Sequence, residues 1–210
     1  MNVHFRHSGF TLIEMVVALA IVGVLAAILT PLVLKYVDDA RVTRAAQEAQ
    51  TIATAVLNFN KDTGKWPIFT NGVGISSTSA SYQVLSGPGI YPSCAMGITC
   101  TVATWAATGS LSDTISDQLE FNKPGGNAAF AYTTAGKFAW RGAYLTNTGS
   151  DPWGYAYVIN AGNLAYGASN AAFVLSAGPN NVIDTSFAQS IGSGSSAIVV
   201  GGDDIIARIK

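Results

Sequence analysis

Glu14 is a lone carboxylate at the head of an apolar run, since Met15 to Leu34 carries no charge over twenty residues. A charge in such a segment costs about 2.5–3.5 kcal/mol on insertion scales, so it needs a partner or a function. A second acidic feature, Asp203–Asp204, precedes the final apolar stretch Ile205–Ile209. Adjacent carboxylates do not suit glycoside hydrolysis, which needs two groups facing each other across a sugar. They suit either a solvated turn or calcium, which takes carboxylate, amide and carbonyl oxygens in irregular geometry. Cys94 and Cys100 stand close together in a Gly/Ser/Thr-rich region. In an oxidising compartment they would close a small loop, restraining it by roughly 2–3 kcal/mol in the chain-entropy view. A metal site on this pair would lack histidine or further cysteine ligands.

Both histidines, His4 and His7, lie in a short, polar, mildly basic segment that ends at Gly9. An ordinary secretory signal is cut after its apolar run. Here the small residue comes before the run, so a cut between Gly9 and Phe10 would leave the apolar segment on the mature chain. Histidine would then be absent, which excludes Ser-His and Cys-His nucleophile pairs and most catalytic zinc sites. A protein without catalysis is expected. No Gly-x-x-x-x-Gly-Lys-Ser/Thr loop is present to bind nucleoside triphosphate. Charged residues make up 11% of the 210 residues and net charge is −1, so no basic field offers itself to nucleic acid.

The elements that would position these groups follow from periodicity. Twenty apolar residues match bilayer thickness, and Gly23 and Pro31 predict a kink or local melting within that helix. Beyond Lys35, Val42, Ala45, Ala49, Ile52, Val56 and Phe59 recur at intervals of three and four, one stripe of an amphipathic helix. A helix from Phe10 to Asn60 would measure about 75 Å at 1.5 Å per residue. Gly64 and Pro67 end it. Residues 71–110 read as an elaborated loop with a short helix near Tyr82–Leu85, and Asp113–Glu120 as a helical turn or two. Strands are expected at Ala128–Thr133, Lys137–Leu145, Tyr155–Ile159, Ala172–Ser176, Ala197–Val200 and Ile205–Ile209, forming an antiparallel sheet. Asp151-Pro-Trp-Gly154 reads as a turn, with Trp153 plugging the core. The fold class is α+β: a long N-terminal helix, apolar all round and then on one side, packed on a small antiparallel sheet. The divisions are a leader at 1–9, an apolar helix at 10–34, its amphipathic continuation at 35–60, a variable region at 61–141 with Cys94 and Cys100, and a C-terminal β region at 142–210.

Gly9-Phe10-Thr11-Leu12-Ile13-Glu14 followed by an apolar helix resembles the type IV pilin and pseudopilin family. Lys65-Trp66-Pro67, Gly142-Ala-Tyr-Leu145, Asp151-Pro-Trp-Gly154, Ser176-Ala-Gly-Pro-Asn180 and Gly202-Asp203-Asp204-Ile205 are most similar to segments of the major pseudopilins of type II secretion. The resemblance implies cleavage by prepilin peptidase between Gly9 and Phe10, and methylation of the new Phe10 amine. It further implies assembly through Phe10, Glu14 and the bend near Pro31 into a homopolymer built on residues 10–60. The implied setting is the bacterial inner membrane, with a single pass before assembly and the globular part and filament in the periplasm. Implied partners are minor pseudopilins and an inner-membrane assembly platform with a separate cytoplasmic ATPase. Calcium would be bound by Ala177, Asn180, Asp203 and Asp204, with Asn180 standing where the resembled group has Asp; Asn181 offers another oxygen. The alternative is a surface type IV pilin serving adhesion, motility or DNA uptake, with an added surface loop in residues 71–139.

Overall fold

In a computed structural model the described residues are 9–69, 82–95, 105, 111–190 and 197–210. The chain divides into two compact units, Met1–Arg41 and Val42–Lys210. The long helix α1 (Leu12–Thr63) contributes to both. It starts in a capping box: Thr11 Oγ1 accepts from the Glu14 N–H, and the Glu14 carboxylate accepts from the Thr11 N–H at 2.8 Å. This reciprocal pairing satisfies donors that a helix start leaves bare. It ends where Gly64, at φ +67, donates its N–H to Asn60 O, a left-handed cap that a side chain would strain. The helix is unbroken through Gly23 and Pro31, so the expected melting is not seen. Thr30 Oγ1 donates to Ala26 O in the turn before the proline.

In the first unit, the large apolar residues from Leu12 to Val37 are all exposed. Among the described residues this is the one helix long and apolar enough to cross a membrane, a candidate anchor. In the second unit the predicted stripe is buried at Ala45, Ala49, Ile52, Val56 and Phe59 and is joined by Ala53 and Ala55; Val42 stays exposed. Burying a side chain such as Phe59 contributes about 1.5–3 kcal/mol.

Among the described residues seven strands follow: β1 (Val84–Ser86), β2 (Ser93–Cys94), β3 (Ser112–Thr114), β4 (Val158–Ile159), β5 (Phe173–Ser176), β6 (Val182–Ile183) and β7 (Ile205–Arg208). Five form one sheet in the order β3-β1-β4-β5-β7, while β2 pairs with β6. The sheet is mixed rather than antiparallel: β1 runs parallel to β3, and the remaining pairs in it are antiparallel. The segment expected to be helical near Tyr82–Leu85 is therefore strand β1, held between two neighbours. Asp113–Glu120 splits into the end of β3 and a short helix α2 (Ile115–Leu119) capped by Thr114.

Three expected strands are absent. Ala128–Thr133 contains a 3₁₀ turn at Ala128–Phe130, and neither Lys137–Leu145 nor Ala197–Val200 pairs as a strand. In the last, the Gln189 side-chain amide takes the backbone N–H and C=O of Val199, and in the first the Asn122 amide does the same for Tyr132 at 2.8 and 3.0 Å. A side chain thus fills the place of a neighbouring strand. The aromatics of this stretch are used on α1 instead, with Tyr132 and Tyr144 meeting Phe59 edge-on at 4.9 and 5.6 Å. The predicted Tyr155–Ile159 strand is trimmed to β4, with an isolated bridge from Tyr155 to Ile90. Gly89, at φ +118, permits that approach, because a Cβ there would lie 2.9 Å from Gly154 O.

Both faces of the sheet are buried at its centre, along β4 and β5. Leu85, Ile159 and Val174 face the α1 side with Ile52, Val56 and Phe59. Val84, Val158, Phe173 and Leu175 face a second core with Trp105, Ile183 and Phe187. Strands buried on two sides read as continuous apolar runs, as Phe173–Leu175 does. Trp105 is fully buried and donates Nε1 to Thr185 O at 2.9 Å. The residue that plugs this core is thus Trp105, in the region expected to be loop; Trp153 is only half-buried and belongs to neither core.

Candidate functional site

At the N-terminus, Glu14 Oε2 receives hydrogen bonds from both the N–H and Oγ1 of Thr11, at 2.8 and 2.9 Å. Thr11 was not singled out from the sequence, although Thr-x-x-Glu before an apolar run is a recognisable capping signature. The site is open: Phe10 is 79% exposed and its neighbours on α1 are bare. Gly9 has nothing within 4 Å of where a Cβ would stand, so the uncut chain itself does not require glycine there.

At the C-terminal end of β5 and the entry to β7, the chain brings together the four expected cation residues. The Ala177–Asn180 turn lies against Asp203, so closely that a Cβ on Gly178 would come 2.3 Å from Asp203 O. Asn180 donates its backbone N–H to Asp203 Oδ2 at 3.0 Å. Asp204 is 7% exposed, and its Oδ2 accepts from the N–H groups of Asp184 and Thr185 at 2.9 and 2.6 Å. Burial pushes the Asp204 carboxyl above its ordinary pKa; the Thr185 and Asp184 donors pull it partly back, and the Asp184 charge adds to the rise. Keeping Asp204 ionised is therefore costly unless positive charge compensates.

The remaining oxygens of this loop bear on that cost. Asp203 Oδ1, Asp204 Oδ1 and Asn181 Oδ1 are buried without a hydrogen-bond partner. Buried polar atoms are rarely left so. No group of three acidic, histidine or cysteine side chains stands ready for a metal among the described residues. A donor set here is two carboxylates completed by amide and carbonyl oxygens, which suits calcium rather than a softer metal. The residues present fit such an ion.

Asp151 of the Asp-Pro-Trp-Gly turn is a structural clamp. Its Oδ1 accepts from the N–H groups of Trp153 and Tyr155, and its Oδ2 from Ser176 Oγ at 2.8 Å. The turn is thereby tied to the end of β5, where the Ala177–Asn180 segment begins. Across β4, the Tyr157 hydroxyl donates to Glu48 Oε2 at 2.7 Å, and Arg44 pairs with Glu48 Oε1 at 2.8 Å. Cys94 is half-buried at the end of β2, and its expected partner Cys100 lies outside the described residues. Strands β2 and β6 pair in parallel, joining Cys94 to Ile183 at the edge of the cation loop.

Comparison with known proteins agrees with the N-terminal geometry. Residues 4–30 match the prokaryotic N-terminal methylation motif. The chain is 39% identical over 69 residues to the type IV major pilin protein PilE1 of Neisseria gonorrhoeae, covering 33% of this chain and 42% of that one. It is 39% identical over 70 residues to the fimbrial protein EcpC of Eikenella corrodens, 33% of this chain and 46% of that one. It is 38% identical over 68 residues to the type II secretion system core protein G of Pseudomonas aeruginosa, 32% of this chain and 48% of that one. The matched stretches thus span less than half the length of these relatives. No solved structure matches the chain. A methylation motif at the head of an exposed apolar helix, and likeness over about a third of the chain to both pilins and a secretion core protein, make this chain type IV pilin-like in its N-terminal part, similar to pilins and pseudopilins alike.

Proposed function

We propose that this chain is the major pseudopilin of a type II secretion system, a structural subunit that polymerises through residues 10–60. The observation that carries subunit assembly is the apolar half of α1, exposed on all sides from Leu12 to Val37. In this reading, prepilin peptidase cuts between Gly9 and Phe10, the Phe10 amine is methylated, and Glu14 pairs with it in the filament. Pro31 marks where the helix yields as subunits pack. The subunit crosses the inner membrane once and its domain stands in the periplasm, where the Cys94–Cys100 bridge would be stable. Minor pseudopilins, an assembly platform and a cytoplasmic ATPase are its proposed partners.

The choice of a secretion filament rests on the loop at Ala177–Asn181 and Asp203–Asp204, with its three unpartnered buried oxygens on Asn181, Asp203 and Asp204. Likeness to the Neisseria and Eikenella proteins supports the second reading, a surface type IV pilin. Deleting the gene separates the two. The secretion reading expects exported proteins to accumulate in the periplasm while surface fibres persist. Loss of surface fibres with normal secretion overturns it.

Calcium would be held by Asp203, Asp204, Asn180 and the Ala177 carbonyl, supplying positive charge to buried carboxylates and fastening the C-terminal loop to the turn after β5. Binding to the folded state stabilises it by RT ln(1 + [L]/Kd), about 2.7 kcal/mol at a hundredfold excess over Kd. The full-length chain in detergent is expected to melt several degrees higher in calcium than in chelator. Magnesium should substitute poorly, because it demands a smaller octahedral shell. Asp203→Ala with Asp204→Ala should remove the difference; identical melting of the unaltered chain in calcium and chelator would refute the site.

A further inference from the structure

Asp184 stands at the centre of the cation loop, although no expected ligand set contains it. Its side-chain Oδ2 accepts from Asn180 Nδ2 at 3.0 Å. Its backbone N–H donates to Asp204 Oδ2 at 2.9 Å. The backbone before Asp203 is pressed flat against it: a Cβ on Gly201 would lie 2.2 Å from Asp184 O, and one on Gly202 would lie 2.1 Å from Asp184 Oδ2. No side chain could come between that backbone and the Asp184 carboxylate, and Gly202 at φ +49 also takes a turn that favours glycine.

We infer that Asp184 is the positioning residue of this loop, adding a carboxylate charge to those that Asp203 and Asp204 carry and holding the Asn180 side-chain amide by its nitrogen. The inference rests on the calcium reading given above. Three observations carry it. Asn180 is neutral and its amide nitrogen is a donor, which a cation would repel; Asp184 is the group that occupies that donor. Asn180 Oδ1 accepts from the Val182 N–H at 2.6 Å, so both ends of the amide are fixed and the side chain cannot turn over without losing two bonds. Independently, Asp204 is more than nine-tenths buried and retains an unpartnered oxygen, which points to a ligand rather than a merely acidic surface. Asp184 and Asp203 both hold Asn180, the first accepting from its side-chain nitrogen and the second from its backbone N–H. Affinity at such sites follows ligand charge and rigidity, and Asp184 adds to both through its charge and its bonds to Asn180 and Asp204.

The test is calcium binding by calorimetry on the full-length chain in detergent, with melting in chelator as a second readout. Asp184→Asn keeps an oxygen for the Asn180 amide and removes the charge. It should raise the calcium Kd at least about tenfold, as loss of one nearby charge at partial burial predicts, while leaving the melting temperature in chelator unchanged or higher. Asn180→Asp combined with Asp184→Asn moves the charge by one contact and should bring affinity back to within a few-fold of the original. Unaltered affinity in Asp184→Asn overturns the inference while leaving the ion site standing. So does lower melting in chelator with unchanged affinity, which makes Asp184 a structural residue only. An unaltered chain that binds no calcium overturns the site itself, and the inference with it.

Discussion

Glu14→Ala is expected to insert into membranes at least as well as the unaltered chain and to lose filament assembly. Removing the charge relieves an insertion cost of about 2.5–3.5 kcal/mol. Assembly loses a pair of opposite charges, worth about 4 kcal/mol at 4 Å under an effective dielectric near 20, with desolvation offsetting part of it. A net loss of even about 1.4 kcal/mol per subunit is a tenfold change in the equilibrium constant for each addition. The capping box with Thr11 offers a competing account, in which Glu14 matters because it closes the helix start. Glu14→Gln separates the two, since glutamine also serves at this position of a capping box but carries no charge. Charge pairing predicts that Gln fails like Ala; capping predicts that Gln assembles. Filament yield by sedimentation, with mass spectrometry confirming a Phe10 N-terminus in each variant, decides it. Normal yield from Glu14→Ala would sink the role altogether.

Trp105→Ala should produce the largest loss of domain stability, about 3–5 kcal/mol, as large-to-small changes at buried aromatics do. Trp105 is fully buried between Phe173 and Phe187, with ring centroids at 5.8 and 5.1 Å, so its removal opens the second core of the sheet. Its Nε1 bond to Thr185 O also ties that core to the segment after Asp184. Trp105→Phe keeps an aromatic ring and strands the Thr185 carbonyl, at about 1–3 kcal/mol. Against a typical net stability of about 5–15 kcal/mol, the alanine change removes a large share of what holds the domain folded. Denaturant midpoints on the chain in detergent measure both. A loss under about 1 kcal/mol for Trp105→Ala would mean that the second core is dispensable.

The long helix was legible because its signals are local. Apolar residues without interruption from Met15 to Leu34, a stripe at intervals of three and four from Ala45 to Phe59, and glycine at 64 each act within a turn or two of chain. The approach of Asp203 and Asp204 to the Ala177–Asn180 turn came from resemblance, not from spacing. Strands were legible from β-branched and apolar runs, as at Phe173–Ser176, which is buried throughout, and at Ile205–Arg208, which is half-buried at the sheet edge. They were misread at Ala128–Thr133 and Lys137–Leu145, where β-forming aromatics pack on Phe59 and Asn122 takes the backbone bonds.

What the sequence by itself determined is the helix, its glycine-ended limit, its apolar first half and the position of Glu14 beside Gly9-Phe10. These depend on contacts between residues a few positions apart, and the order of side chains along the chain specifies them directly. Only the tertiary structure decided that β1 and β3 come from the variable region and run parallel, that Trp105 closes the second face, and that Asp184 sits between Asn180 and Asp204. Pairings such as Trp105 with Thr185, eighty residues apart, depend on which backbone groups remain unsatisfied once the sheet has formed. That competition is settled by packing and hydrogen-bond satisfaction across the whole domain, and no local pattern of residue types encodes it.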